Sequence, residues 1–446
     1  MTNPIPPPPR TVVTALIEKL PFYYGWIVVA VAFITMGIGV NARTSFSLLF
    51  PPILDEFSWD RGTIAATFSI GFIVSTLVTP LIGALMDRYG PRLTVSMGAT
   101  FTSLGLVLAT YAFEPWHFYL TLGVLVVGGS IFMSYIGHTL FVPNWFERNR
   151  GLAVGIAFSG VGAGAIIMFP WMQNAIATEG WRYSCLIIAA VLMIVLVPMN
   201  ILLQRRRPQD LGLEPDGGAA PSATGDTAKA ASGIVDQAWV DTEWTLRTAM
   251  KTTRFWWLLI AFTSGLYVWY AVQVHQTQYL IDIGISKELA AVALGLVGLG
   301  GIAGQIGVGH FSDRIGREWA WTIAQVGFLA TYACLHLLKV WPGQWLMYVM
   351  VIAQGCLGYG LASVFGSTPA DVFSGKRYGV IFGVLAASAS AGAAAGPWIT
   401  GWLYDLLGDY DHAFSLAIAI SALSVITMWL ASPRKVRLVA GQIKRG

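Results

Sequence analysis

The sequence predicts an all-α membrane protein in which twelve transmembrane helices form two six-helix repeats. Three observations support this fold class. Of the 446 residues, 55% are hydrophobic and only 11% are charged, whereas an ordinary soluble domain has about 25% charged residues. Twelve apolar stretches are long enough to cross a bilayer, and a set of short motifs occurs once in each half of the chain. Most of the protein surface is therefore expected to face lipid.

The apolar stretches are identified by their length, because roughly 20 apolar residues cross about 30 Å of hydrocarbon. They lie at residues 23–50, 62–85, 93–112, 117–142, 151–175, 183–203, 255–281, 289–310, 319–338, 344–370, 378–402 and 413–431. The first stretch is too long for a signal peptide and no small-residue cleavage site follows it. We therefore expect it to remain in the mature protein as a span.

The spans divide the chain into five segments. A Pro-rich tail covers residues 1–21, and the six-helix halves cover 22–203 and 255–431. A polar linker at 204–254 joins the halves, and a second tail covers 432–446. The linker is rich in Gly, Ala, Ser and Asp, a composition that is typical of flexible segments.

The basic residues test the number of spans, because Lys and Arg accumulate in cytoplasmic loops. With the N-terminus in the cytoplasm, the cytoplasmic segments hold 22 of the 27 Lys and Arg residues, and the external loops hold only four. The remaining one, Arg43, lies inside the first span. A missed span would invert every later loop and destroy this asymmetry. The sequence therefore predicts a multi-pass inner-membrane protein with both termini and the linker in the cytoplasm.

Three short motifs recur in the same order in the two halves. The first reads Gly83-Ala-Leu-Met-Asp87-Arg88-Tyr-Gly90-Pro-Arg92 and then Gly309-His-Phe-Ser-Asp313-Arg314-Ile-Gly316-Arg317. The others pair residues 151–155 with 379–383, and Pro170-Trp171 with Pro397-Trp398. The separations are 226, 228 and 227 residues, as an internal duplication would produce. Duplicated halves place a substrate site at their interface near the bilayer midplane.

The first motif, Gly-x-x-x-Asp-Arg-x-Gly-x-[Arg/Lys], resembles the loop motif of the major facilitator superfamily. Its glycines allow close contact between helices, and its carboxylate can cap a helix N-terminus or pair with an arginine. We therefore predict that the motif forms a cytoplasmic gate, which must break when that side opens. The predicted gating residues are Gly83, Asp87, Arg88, Gly90, Arg92, Gly309, Asp313, Arg314, Gly316 and Arg317.

Three further motifs resemble the monocarboxylate porters and their bacterial oxalate/formate-type relatives. Tyr24-Gly25-Trp26 opens the first span, Asn-Trp-Phe-Glu-Arg-Asn-Arg-Gly-Leu-Ala occupies 144–153, and Arg-Pro-Gln-Asp-Leu-Gly-Leu-Glu-Pro-Asp-Gly occupies 207–217. The resemblance covers essentially the whole chain. It implies the major facilitator fold and transport of a small organic anion by alternating access, with proton coupling as an open option.

Arg43 is the first candidate for a substrate-binding residue. A cation inside a span costs about 2.5–3.5 kcal/mol and usually faces the protein interior or an aqueous path. Counted from Trp26 at about 1.5 Å per residue, Arg43 lies in the outer half of the span. We predict that it binds the carboxylate of the substrate. The alternative is a structural arginine that reaches the interface or satisfies carbonyl groups at the helix end.

Gln305 departs from the pattern that the resemblance implies. Monocarboxylate porters carry an arginine four residues before the motif glycine of the eighth span, and this chain has Gln305 four residues before Gly309. Gln305 can still donate a neutral hydrogen bond to a substrate, but Arg43 would have to supply the charge. A single cation within the spans favours a substrate with one carboxylate.

Polar side chains on other spans complete the set of substrate-binding candidates. Tyr270, Gln273 and Gln276 occupy about a third of the circumference of the seventh span. Polar groups in lipid need partners, so we expect this face to line the cavity, with hydrogen bonding between helices as the alternative. His275 lies off that face, and we predict a structural role for it.

His138 in the fourth span is a candidate for a substrate contact and for the carrier of a coupling proton, because histidine titrates near neutral pH. The alternative is a buried structural histidine. Tyr135, one turn earlier, and Tyr359 in the tenth span are candidates for the cavity wall. No Asp or Glu lies in the middle of a span. A proton would therefore be carried by a histidine, a carboxylate at a span end or the substrate itself.

Other function classes find little support in the sequence. Glycine clusters at 160–164, 300–304 and 392–396 lie inside spans, so close helix packing is expected rather than nucleotide binding. A phosphate-binding loop with its lysine is absent, which argues against ATP as the energy source. We expect no catalytic residue, cofactor, metal or nucleic acid. The expected partners are a small carboxylate, membrane lipids and, if transport is coupled, protons.

The sequence thus predicts a secondary active transporter of a small organic anion, specifically a monocarboxylate. One alternative is an exporter of neutral or amphipathic compounds, in which Arg43 is structural. A more distant alternative is a membrane-embedded enzyme or sensor, which would need a catalytic constellation or an appended soluble domain.

Overall fold

The computed structural model describes residues 21–59, 61–217, 233–341, 343–375 and 377–443. Within these ranges, eleven helices are long and apolar enough to cross a membrane. One of them, in the segment Arg61–Ala109, is two helices, because Gly90 interrupts it with φ 72° and ψ 176°. A φ in this region favours glycine. The described chain thus contains the twelve spans that the sequence predicts, while residues 1–20 of the predicted Pro-rich tail lie outside the described residues.

We label the spans α1 to α12 in chain order. α1 is Gly25–Thr44, and a second helix, Phe46–Phe57, continues it after Ser45. α2 and α3 are the parts of Arg61–Ala109 before and after Gly90. The other spans are α4 Pro115–Trp145, α5 Arg150–Glu179, α6 Trp181–Leu203, α7 Thr253–Asp282, α8 Lys287–Ile315, α9 Arg317–Val340, α10 Gln344–Val372, α11 Tyr378–Leu407 and α12 Asp411–Ala431.

α4 and α10, which occupy equivalent positions in the two repeats, are the most irregular spans. α4 contains a π-helical segment at Tyr119–Val127 and a break at Ser134, whose backbone is extended. α10 contains a π-helical segment at Ala353–Leu357, followed by a 3₁₀ segment at Gly358–Gly360. Such irregularities often mark functional sites. In a membrane they occur where the backbone is buried in protein or lines a cavity.

Close glycine contacts hold the helices of each half together. In the first half, Gly160 of α5 lies against the backbone of Phe33 in α1, and Gly164 lies against Gly37. In the second half, Gly392 of α11 lies against the backbone of Thr263 in α7. An added methyl group at these glycines would overlap backbone atoms. The prediction that these glycines serve helix packing is therefore confirmed, and equivalent helix pairs use them in both halves.

The linker and the C-terminal tail cover one face of the bundle. Asp216 of the linker accepts hydrogen bonds from the N–H groups of Glu147 and Arg148, at 2.9 and 2.8 Å. Ile234 forms an isolated antiparallel bridge with Arg437 of the tail. We call this face the linker side and the opposite face the far side. Residues 218–232 of the predicted flexible linker lie outside the described residues, and the described ends carry short helices.

Candidate functional site

Tyr135 lies inside the bundle, at the interface between the two halves, near Arg43 and two further tyrosines. Tyr135 of α4 interacts electrostatically with Arg43 of α1, and also with Tyr270 of α7 and Tyr359 of α10. Two of these helices belong to each half. We call these four residues the tyrosine–arginine cluster. The structure thus gathers four of the predicted substrate-binding residues where the duplication predicts a substrate site.

The backbone irregularities of α4 and α10 place two of the tyrosines in the cluster. Tyr135 directly follows the break at Ser134, and Tyr359 lies in the 3₁₀ segment of α10. The ring of Tyr359 packs against that of Trp269, with centroids 4.7 Å apart, and the ring of Tyr135 meets Phe158 edge-on at 4.8 Å. The aromatic rings of Phe158 and Trp269 therefore bound the cluster, and aromatic walls beside tyrosines suit a small amphipathic ligand.

Arg43 has a π partner and no carboxylate partner within the described ranges. Asn41 fixes the preceding turn of α1 by donating to the carbonyl oxygens of Gly37 and, on α5, Val161, at 2.6 and 2.9 Å. The guanidinium of Arg43 lies over the ring of Phe72, 5.7 Å from its centroid. The described chain holds no acidic oxygen within ion-pair distance of this guanidinium. The arrangement thus leaves a positive charge available to an anionic ligand.

His138 and Gln305 lie closer to the linker side than the cluster does. His138 is fully buried, one turn beyond Tyr135, and its Nδ1 is 3.0 Å from the carbonyl oxygen of Ser134. Gln305 is 4% exposed and lies one turn beyond Gly301, which contacts the ring of Tyr359. The described contacts do not join either side chain to Arg43. Their roles in substrate binding remain predictions.

The polar face of α7 is only partly accessible. Tyr270 and Gln273 are half-buried. Gln276 is 1% exposed, and neither atom of its amide has a hydrogen-bond partner among the described residues. His275 contacts the carbonyl oxygen of Pro397 through Nε2 at 2.9 Å and the hydroxyl of Tyr410 through Nδ1 at 3.3 Å. These contacts are those of the structural histidine that the sequence predicts.

On the linker side, the motif carboxylate of each half lies at the start of a helix in the other half. Asp313, at the end of α8, accepts hydrogen bonds from the N–H groups of Gly151 and Leu152 in the first turn of α5, at 2.9 and 3.0 Å. Asp87, at the end of α2, lies against Gly379 in the first turn of α11. A carboxylate at this position is stabilised by the helix dipole and by N–H groups that lack partners within the helix.

A buried network of charges supports these contacts. Asp371, at the end of α10, pairs with Arg150 of α5 and with Nε of Arg317, the latter at 2.7 Å. Arg317 also pairs with Asp313 at 2.9 Å. The four side chains balance in charge, and each is less than 10% exposed. Removing one partner from such a network typically costs about 3–5 kcal/mol, because it leaves a buried charge unpaired.

The motif glycines let the two halves touch at the same level. Gly83 of α2 lies against the backbone of Gly379 in α11, and Gly309 of α8 lies against Gly151 in α5. Gly316, with φ 104°, separates α8 from α9, as Gly90 separates α2 from α3. These contacts close the linker side of the bundle.

The four arginines of the gating motif make different contacts. Arg88 is exposed and lies over the ring of Tyr89, 5.2 Å from its centroid. Arg92 donates to the carbonyl oxygen of Ile201 at 2.7 Å, and Arg314 is exposed. Arg317 alone enters the charge network. A gating role for the whole set remains a prediction.

Three residues of the closed linker side were not among the predicted gating residues. Arg206 of the linker pairs with Asp87 at 2.6 Å, and Arg150 and Asp371 form the core of the charge network. Asp371 had one signal in the sequence, since it is a carboxylate at the end of a span. Its partners Arg150 and Arg317 are distant in the sequence, and only the folded structure connects them.

Comparison with known proteins agrees with this architecture. The family model of the Major Facilitator Superfamily matches residues 25–368 and 309–445. The chain is 28% identical to "Monocarboxylate transporter 11" of Mus musculus over 427 residues, which cover 92% of this chain and 88% of the relative. It is 26% identical to "Monocarboxylate transporter 13" of Bos taurus over 396 residues, which cover 88% of this chain and 86% of the relative.

Solved structures share the fold at low sequence identity. The fucose:proton symporter FucP of E. coli matches with a TM-score of 0.66 and 14% identity, over 92% of this chain and 98% of that chain. The proton:xylose symporter XylE matches with a TM-score of 0.66 and 14% identity, over 91% of this chain and 95% of that chain. These relatives are transporters and not enzymes. The chain belongs to the major facilitator superfamily and is a membrane transporter that resembles the monocarboxylate porters.

Proposed function

We propose that the protein is a secondary active transporter of a small monocarboxylate, which binds at the tyrosine–arginine cluster. The observation that carries this proposal is the position of Arg43. It lies in a span, near Tyr135 at the interface of the halves, and without a carboxylate partner in the described chain. Arginine binds a carboxylate through two parallel hydrogen bonds. One cation matches one carboxylate, and the tyrosine hydroxyls can donate further hydrogen bonds.

Alternating access is supported by where the two halves touch. On the linker side, α2 contacts α11 and α5 contacts α8, through backbone at the motif glycines. Towards the far side, the helix Phe46–Phe57 makes its main contacts with spans of its own half. This arrangement corresponds to a conformation that is closed on the linker side. Release on that side would require Asp87 and Asp313 to leave the helix starts that they contact.

The proposal places the linker side in the cytoplasm. Its support is the distribution of Lys and Arg, 22 of 27 of which lie in segments predicted to be cytoplasmic. Assignment to a bacterial inner membrane rests on the resemblance to oxalate/formate-type porters. Proton coupling is part of the proposal, with His138 and the substrate as the candidate carriers, because His138 lies one turn from Tyr135 and its Nε2 has no partner in the described chain.

A second candidate function is export of a neutral amphipathic compound. It is favoured by the surroundings of Tyr135, which interacts with two neutral tyrosines and a single cation. In this case Arg43 would have a structural role, and its guanidinium would interact with the ring of Phe72 instead of with a substrate.

A thermal-shift screen with matched ligand pairs separates the two functions. Each monocarboxylic acid is tested on the purified protein beside its own primary amide, which has nearly the same shape and no charge. A ligand that binds only the folded state raises the free energy of unfolding by about 2.7 kcal/mol at a concentration of 100 Kd. We expect at least one acid to raise the melting temperature while its amide does not. Equal shifts from acids and amides, or shifts from amides alone, would favour the neutral-solute function.

A further inference from the structure

A cavity lies on the linker side and shares no residue with the tyrosine–arginine cluster. It has a volume of about 350 Å³ and is lined in part by Arg150, Arg206, Arg207, Tyr378 and Arg437. This volume is at the lower end of the range for small-molecule sites, about 300–1,000 Å³. We call it the linker-side cavity. Its walls come from both halves, from the linker and from the C-terminal tail, so they are complete only while the linker side is closed.

Two of the four arginines in the wall are already neutralised. Arg150 pairs with the buried carboxylate of Asp371. Arg206 pairs with Asp87 at 2.6 Å and also donates to its backbone carbonyl oxygen. These two guanidiniums therefore contribute hydrogen-bond donors to the cavity and little excess charge.

Of the other two arginines, Arg437 pairs with Glu147, and Arg207 is left with a positive charge that is uncompensated among the described residues. Arg437 is 3.7 Å from a carboxylate oxygen of Glu147, which is the one acidic residue that lines the cavity within the described chain. Burial lowers the pKa of Arg437, and the positive charge of Arg150 lowers it further. The side chain of Arg207 forms no ion pair within the described ranges. The charge in the wall is thus incompletely compensated.

Several buried donors at the cavity have no acceptor. The Nε atoms of Arg206 and Arg437 and the hydroxyl of Tyr378 are buried without a hydrogen-bond partner in the described structure. Tyr378 is 6% exposed. Arginine can only donate hydrogen bonds, and a buried donor without a partner typically costs about 1–3 kcal/mol. An anion with several acceptor oxygens would satisfy these groups together.

We propose that the linker-side cavity binds a phosphate-bearing anion, held by Arg207, Arg437 and the hydroxyl of Tyr378. A phosphate group offers three or more acceptor oxygens and up to two negative charges, which matches donors that approach from several directions. A carboxylate, with two oxygens in one plane, would leave some of them unpaired. A soluble phosphorylated compound and the headgroup of an anionic lipid present the same chemistry. This proposal depends neither on the substrate nor on the direction of transport.

Titration of the purified full-length protein with inorganic pyrophosphate tests the site. Binding is measured by calorimetry at constant ionic strength, with sodium chloride as the compensating salt. We expect saturable binding that Arg207→Gln weakens about tenfold, the effect of losing one charge-assisted hydrogen bond. Tyr378→Phe should also weaken binding, and it should leave folding intact because this hydroxyl has no partner to lose. Arg148→Gln is the matched control, since Arg148 is an exposed arginine on the same face that does not line the cavity.

A second titration, in lipid nanodiscs of two compositions, identifies the source of the phosphate group. The titration is repeated in nanodiscs of phosphatidylcholine alone and of phosphatidylcholine with phosphatidylglycerol. Weaker pyrophosphate binding in the discs with phosphatidylglycerol would show that the lipid headgroup occupies the site, and equal binding would show that the site serves a soluble phosphate. Both results support the proposal. Absence of saturable binding in the wild type, or binding that Arg207→Gln and Tyr378→Phe leave unchanged, would overturn it.

Discussion

Arg43 brings a permanent positive charge into the membrane-spanning part of the protein, and its neighbours offset only part of the cost. A cation at the centre of a span costs about 2.5–3.5 kcal/mol on insertion scales. The ring of Phe72, 5.7 Å away, supplies a cation–π interaction, which typically returns about 0.5–2 kcal/mol. The part of the burial cost of Arg43 that the cation–π interaction does not offset would be offset by a bound carboxylate. This energetic argument is the physical basis of the proposed substrate class.

Tyr359 provides a test of the cluster that does not alter its charge. Tyr359→Phe keeps the ring that packs on Trp269 and removes one hydroxyl. Since a hydrogen bond to a charged group contributes about 1.5–3 kcal/mol, we expect the affinity for the transported acid to fall about tenfold. Tyr348→Phe is the matched control, because Tyr348 lies on the same helix and is 42% exposed. If the two variants bind the acid with equal affinity, measured by ligand-dependent melting, Tyr359 does not contact the substrate.

Single residues of the candidate site could be predicted from the sequence because they interrupt apolar spans. Arg43, Tyr135, Tyr270 and Tyr359 are residues of this kind, and in the structure Tyr135 interacts electrostatically with the other three. The accessibility of each residue could not be predicted. Gln276 shares a helix face with Tyr270, yet it is buried at 1% exposure, because neighbouring spans cover that part of α7.

At the scale of elements, the irregular α4 and α10 determine the shape of the cluster. Their π and 3₁₀ segments occupy equivalent positions in the two repeats. The sequence around the break of α4 at Ser134 contains no proline that would predict it. Tertiary packing decides this local geometry, so an apolar stretch of suitable length predicts the span but not its break.

The capped helix starts make Asp87 a test of the linker-side gate. Asp87→Asn keeps the size of the side chain and removes the charge that favours the start of α11 and holds Arg206. Removing an anion from a helix start typically destabilises the contact by up to about 2 kcal/mol. If the closed conformation is destabilised by about 1–2 kcal/mol, the population of molecules open on the linker side rises about 5- to 30-fold. Asp313→Asn should act in the same direction through α5.

Labelling of a buried cysteine measures this opening. Val154→Cys is suitable, because Val154 is fully buried and contacts Gly366 of the other half. We expect Asp87→Asn to accelerate its reaction with a polar maleimide in a background without native cysteines. Asp405→Asn, an exposed aspartate at the far end of α11, is the control. Unchanged labelling together with lost acid binding would assign Asp87 to the substrate site instead of the gate.

Contact between glycines gives an independent test of the same closure. A methyl group at Gly83 would overlap the backbone of Gly379, so Gly83→Ala should force α2 and α11 apart on the linker side. Overpacking of this kind typically costs about 1–3 kcal/mol. We expect faster labelling of Val154→Cys in Gly83→Ala than in Gly307→Ala, since Gly307 has nothing within 4 Å of the added methyl. Equal rates in the two alanine variants would show that this glycine contact does not hold the gate.

At the scale of the whole molecule, the fold followed from composition, span length and the internal repeat. These signals are strong because the bilayer fixes the length and polarity of every span. The charge network was harder to predict. The partners of Asp371, which are Arg150 and Arg317, lie on other helices, and no local pattern in the sequence links them.

The orientation in the membrane is a prediction about the whole chain. Lys339 is exposed on the far side, where it pairs with Asp411 at 2.6 Å, and Arg148 is exposed on the linker side. In intact cells, an impermeant thiol reagent should label Lys339→Cys and leave Arg148→Cys unlabelled, because the linker side is predicted to be cytoplasmic. The reverse pattern would invert the topology.

The most direct test of the proposed function is acid uptake into proteoliposomes by Arg43 variants. The substrate is the monocarboxylate that gives the largest thermal shift in the screen, and the melting temperature of each variant without ligand confirms that it is folded. Glutamine lacks the charge and the two-pronged geometry of arginine, whereas lysine keeps the charge alone. We predict that Arg43→Gln loses saturable uptake and that Arg43→Lys retains a weak activity. A folded Arg43→Gln protein that transports the acid at the wild-type rate would contradict a carboxylate site at the tyrosine–arginine cluster.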